Sequence, residues 1–72
     1  MSGRARGGPS LTGREAEVLS LLAAGASTEE MASKLYLSTN TVRNHVQRLL
    51  TKLGAHSKVE ALAIARREGL LE

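Results

Sequence analysis

The stretch Leu37–Gly54, "LSTNTVRNHVQRLLTKLG", decides the fold of this chain. On a wheel of about 100° per residue, Val42, Val46, Leu49, Leu50 and Leu53 fall within one arc and require a core to face. Opposite them lie Asn40, Asn44, Gln47 and Thr51, flanked by Arg43 on one side and Arg48 on the other. His45 and Lys52 take the remaining edge. The stretch contains no acid. Amides can pair bidentately with adenine edges and guanidinium with guanine, and a helix fits the width of a DNA major groove.

Immediately upstream, "STEEMASKL" predicts a short helix with Met31, Ala32 and Leu35 turned inward. A short helix, a tight "YLST" turn and a longer polar-faced helix make a helix-turn-helix, whose second helix reads DNA. Ala32 is small enough for the two helices to cross closely.

Farther out, the punctuation is regular. Thr12 reads as an N-cap with Glu15 completing a capping box and Leu11 placed to staple onto Ala16. Val18, Leu19 and Leu22 follow at helical spacing, and Gly25 supplies a left-handed stop. Ser27 and Glu30 repeat the box, Ser38 caps the next helix with a staple from Leu37 to Val42, and Ser57 with Glu60 form another box before a helix ending near Gly69. The expected architecture is all-α, a compact four-helix domain with helices over roughly 13–24, 28–36, 39–53 and 58–68. The third-position glutamates satisfy backbone donors and complement the helix dipole, so they are not candidate general acids.

Composition narrows the function classes. Seventy-two residues make one small domain, and without cysteine it is held by helix packing alone. Tyr36 is the only aromatic ring, which argues against a single-strand binder built on stacking. The net charge of +3 is modest, but its distribution is not even. Asp is absent, and no acid occurs between Glu30 and Glu60, a window holding Lys34, Arg43, Arg48, Lys52, Lys58, His45 and His56. Such a window is either a solvated basic face or an electrostatic footprint for a polyanion. With no Asp or Cys and two histidines lacking a nucleophile or metal partner set, neither an enzyme nor a metal or cofactor site is expected.

The longest apolar run, "VLSLLAAGA", is too short to cross a bilayer, and "MSGRARGGPS" has no apolar stretch after its arginines. A soluble, cytoplasmic protein without membrane contact is therefore expected. Residues 1–10 read as a flexible basic arm, a linker or an expression remnant, and residues 11–72 as the folded domain. Arg4 and Arg6 could reach a phosphate backbone, although a solubilising tail is the simpler reading.

In order and spacing, "LTGREAEVLSLLAAGASTEEMASKL", "LSTNTVRNH", "KLGAHSKVEALAIA" and "GLL" resemble the LuxR/FixJ-type (GerE-like) helix-turn-helix domain of bacterial transcription regulators. The likeness spans Leu11 to Leu71. Met31 stands where the family often has Ile, and Lys58 where it often has Arg. The helical promoter-reading domain of sigma factors shares the "LT-RE" and "TV" features but generally ends after its recognition helix, whereas "SKVEALAIARREGLL" adds a fourth.

That resemblance implies binding of double-stranded DNA through the third helix and dimerisation through the fourth. Arg43, Asn44 and Gln47 match positions that commonly contact bases, with Asn40 beside them on the wheel. Thr39, Arg48, Lys52 and, more weakly, Lys34 would hold phosphates. His45 matches a recurrent family His, with packing and DNA contact both open to it. On the fourth helix, Ala61, Leu62 and Ala65 are expected to pack inward, leaving Val59, Glu60, Ala63, Ile64 and Arg67 for a weak two-fold contact strengthened on DNA. RNA polymerase is a further expected partner of such a regulator. The competing reading is a helical protein-interaction module that keeps the fold without DNA binding.

Overall fold

The computed structural model describes residues 10–71, so the expected arm, with Arg4 and Arg6, lies almost wholly outside the described residues. Four helices follow in order: α1 (Gly13–Ala23), α2 (Thr28–Leu35), α3 (Thr39–Leu53) and α4 (Lys58–Arg67). The expected boundaries hold to within one residue.

The caps explain where each helix starts. Thr12 N–H donates to the Glu15 carboxylate at 2.9 Å and Glu15 N–H to the Thr12 hydroxyl at 3.1 Å, closing the reciprocal box at α1. Ser27 and Glu30 do the same at α2, at 2.7 and 3.1 Å. Leu11 packs against the core while Ala16 is exposed, so core contact accounts for the burial of Leu11.

The fourth cap corrects the sequence reading. Glu60 N–H donates to the Ser57 hydroxyl at 3.1 Å, but the Glu60 carboxylate accepts from His56 N–H at 2.7 Å, not from Ser57. Ser57 has φ −156°, against −73°, −76° and −75° at Thr12, Ser27 and Ser38. The different backbone turns its own N–H out of the box, and the carboxylate reaches one residue further back.

Helix ends share one device. At each, the N–H of the residue after a left-handed position bonds back to a carbonyl five residues earlier: Ala26 to Leu21, Leu37 to Ala32, Ala55 to Leu50 and Leu70 to Ala65, at 2.8–3.0 Å. Gly25, Gly54 and Gly69 hold three of the left-handed positions; Tyr36, at φ 58°, holds the fourth. This is the Schellman arrangement, which glycine adopts without steric penalty.

Helix α3 packs against all three others, so it is the centre of the domain. Its stripe Val42, Val46, Leu49, Leu50 and Leu53 is buried against Val18, Leu19 and Leu22 of α1, Met31 and Ala32 of α2, and Ala61 and Ala65 of α4. Leu19, Met31, Leu49, Val18 and Val42 are the largest fully enclosed side chains. Truncating one of these leucines to Ala costs about 2–5 kcal/mol, through lost transfer energy and the cavity left behind. Among the described residues no polar or charged residue is buried, so the chemistry of this domain lies on its surface.

One expectation for α4 also needs correction. The wheel puts Ile64 on the outer side, yet it is half-buried and packs against the core, as Leu62 does. Ala61 and Ala65 are one turn apart and lie at the centre of the inward face, which puts residues 62 and 64 on its two flanks. Both flanks touch the domain because two alanines let α4 approach closely.

Candidate nucleic-acid interface

The outer face of α3 is what the core stripe leaves over. Asn40, Arg43, Asn44, Gln47, Arg48 and Thr51 are all exposed, as the wheel requires. Among the described residues, the side chains of Arg43, Asn44, Gln47 and Arg48 make neither a hydrogen bond nor an ion pair. Amide and guanidinium donors therefore stand together in solvent with their pairing capacity unspent.

The beginning of α3 differs from the other three. Helix α1 carries Glu15 in its first turn, α2 carries Glu29 and Glu30, and α4 carries Glu60; α3 carries no acid there. Its cap is built from hydroxyls alone. Ser38 Oγ accepts from Thr41 N–H at 3.0 Å and donates to Thr41 Oγ1 at 2.9 Å. The positive end of the α3 dipole is thus left without a side-chain anion, which favours an external one.

The remaining expected contacts are dispersed. Thr39 is half-buried at the first position of α3, and His45 is half-buried at the edge of the polar face. Lys34 is exposed, but it lines a groove between α1 and α2 with Ala16, Glu17, Ser20, Leu21 and Leu35, not the α3 face.

Lys52 has a partner that sequence reasoning missed. Its ammonium lies 2.7 Å from Glu15 Oε1, joining the last turn of α3 to the first turn of α1. Hydrogen bonding from Lys52, then from the Thr12 backbone, holds the Glu15 carboxyl below its ordinary value, with burial opposing. The same oxygen completes the Thr12 capping box. A phosphate would have to compete with this carboxylate for Lys52. No local signal announces a pair separated by 37 residues.

On α4, Val59 is 79% exposed, and Glu60, Ala63 and Arg67 are exposed beside it. The Glu60 carboxyl is held below its ordinary value first by the His56 backbone N–H, with smaller contributions from the His56 ring and from Arg67. His56 Nδ1 lies 3.3 Å from the same carboxylate.

A family model described as bacterial regulatory proteins, luxR family, matches residues 9–65. The chain belongs to the luxR family. Spore germination protein GerE of Bacillus subtilis is 44% identical over 64 residues, covering 89% of this chain and 86% of GerE. The solved structure of GerE superposes with a TM-score of 0.80 at 39% identity, over 86% of this chain and 92% of that one. Probable transcriptional regulatory protein NarL of Mycobacterium tuberculosis is 45% identical over 89% of this chain, which spans 30% of the length of NarL. VqmA of Vibrio cholerae, solved as a complex with ligand and DNA, superposes with a TM-score of 0.81 at 33% identity, over 97% of this chain and 31% of that one. VqmA is also described as a dimer and as a LuxR-type receptor. The four-helix, helix-turn-helix domain found here is the luxR-family fold, and none of its described helices is long and apolar enough to cross a membrane.

Proposed function

We propose that this domain binds double-stranded DNA sequence-specifically as the output domain of a bacterial transcription regulator, with α3 in the major groove. One observation carries the reading. Helix α3 alone lacks an acid in its first turn, and it presents Asn40, Arg43, Asn44, Gln47 and Arg48 exposed on one side. Placed in a groove, these groups meet base edges, while phosphates meet the helix N-terminus and Thr39. Membership of the luxR family and the DNA complex of VqmA support it.

Arg43, Asn44, Gln47 and Asn40 are the base readers in this scheme. Arg48 grips the backbone, Lys52 does so when it releases Glu15, and Lys34 contributes only at the margin of the site. The exposed face of α4, centred on Ala63 with Val59, Glu60 and Arg67, forms a weak two-fold contact that strengthens when two copies occupy adjacent half-sites. Half-site centres are then about one helical turn, or a multiple of it, apart. Such a regulator works in the cytoplasm, where RNA polymerase is a further partner.

Arg43→Ala tests the reading. It lowers affinity for the preferred duplex by about 1–3 kcal/mol and relaxes discrimination at one base position, measured by anisotropy titration of single-base variants. An unchanged base preference would remove Arg43 from the readers.

A further inference from the structure

Tyr36 departs from the pattern that ends the other helices. Gly25, Gly54 and Gly69 occupy the left-handed position after α1, α3 and α4, and each has φ between 72° and 84°. At the end of α2 the same backbone is imposed on a tyrosine, at φ 58° and ψ 43°. A side chain there carries a steric cost that glycine avoids. Burial does not repay it, because Tyr36 is 93% exposed, the most exposed large apolar residue described and the only aromatic in the chain. A costly residue that stabilises nothing within its own domain is a candidate for external contact.

Its location names the partner. Tyr36 lies two residues before the Ser38 cap of α3 and four before Asn40. At a maximal reach of about 3.3–3.6 Å per residue, its Cα is no farther than about 14 Å from that of Asn40. With α3 seated in a groove about 12 Å wide, this turn stands at the groove edge, beside one phosphate row. No acid occurs between Glu30 and Glu60, so the sequence around the ring offers nothing to repel that row.

Resting on the reading of α3 as the groove helix, we infer that Tyr36 is a DNA-backbone contact, its ring lying against the sugar and its hydroxyl donating to a phosphate. It adds affinity to every sequence and positions α3 from its N-terminal side. A helix end with glycine in this place keeps the fold but loses that contact.

Stability and binding then move in opposite directions. In Tyr36→Gly the thermal midpoint rises by several degrees as the left-handed strain is relieved, while affinity for preferred and scrambled duplexes alike falls about tenfold. Tyr36→Asn, which tolerates the left-handed backbone, loses binding similarly. Tyr36→Phe keeps the ring and loses only about threefold. Because the chain has a single tyrosine, 3-fluorotyrosine gives one 19F line, which shifts on saturation with duplex. Arg43→Ala, in parallel, separates the two levels of the claim. If Arg43→Ala weakens binding while Tyr36→Gly and Tyr36→Asn bind as tightly as the parent and the 19F line stays in place, the Tyr36 contact is wrong and the groove reading stands. If neither Arg43→Ala nor the Tyr36 variants changes binding, both are wrong.

Discussion

Helices α3 and α4 are both amphipathic and both dock on the same core, yet they offer solvent opposite things. The outer face of α3 is amides and arginines with no acid and, among the described residues, no side-chain partner for Arg43 or Arg48. The outer face of α4 mixes signs around small apolar residues: Val59 and Ala63 with Glu60, Arg66 and Arg67. A single-sign polar surface suits a polyanion, whereas a mixed, partly apolar one can complement its own copy across a two-fold axis.

The sharpest way to break this contrast is to reverse one charge on each helix. Arg43→Glu should abolish specific binding, with a loss on the order of 100-fold or more, because a base contact is replaced by repulsion. Arg67→Glu should leave binding to a single half-site within about twofold, since a surface change away from the groove costs little. Equal losses in titrations of a half-site duplex would mean that the two faces are not specialised.

Self-association comes next. Val59→Glu should remove cooperative binding to a two-half-site duplex without lowering stability, because Val59 contributes little to the fold at 79% exposure. Ile64→Glu should lower stability by about 1–3 kcal/mol, since Ile64 packs on the core. Chemical denaturation separates the two, and a cooperative Val59→Glu variant would argue against α4 as the interface.

Much of this domain was legible because its signals are local. Thr12, Ser27, Ser38 and Ser57 each cap a backbone N–H three residues on, a relation visible in sequence. The stripe of α3 and the exposure of Asn40, Arg43, Asn44 and Gln47 opposite it follow from helical period alone. What escaped depended on backbone detail or on distance along the chain. The end of α2 carried no glycine, so the left-handed turn at Tyr36 gave no warning. The close approach of α4 that Ala61 and Ala65 allow, which brings both flanks of the helix onto the core, decided the placement of Ile64. The Lys52–Glu15 pair required the three-dimensional meeting of α3 with α1.

That pair gives the smallest effect and a pH signature. A carboxyl whose folded pKa lies below its ordinary value of 4.5 stabilises the fold above that value. The stabilisation is lost as pH falls through the lower, folded value. Glu15→Gln keeps a side chain able to cap but removes this acid-side component, with a stability loss under about 1 kcal/mol at neutral pH, as for pairs that solvent still screens at the protein surface. Freed from Glu15, Lys52 should raise affinity for all duplexes about twofold. Lower affinity in Glu15→Gln would show that the bridge orients Lys52 for DNA instead of competing for it.

The central claim is that the exposed face of α3 reads base sequence. The most direct test takes the two-half-site duplex recovered by selection from a random pool and compares it with its scrambled version by anisotropy at physiological salt. Preference for the selected duplex by about 10³-fold or more is the predicted result, with each affinity falling by about 0.9 log unit per phosphate contact for each log unit of added salt. Equal affinity for the two duplexes would contradict it.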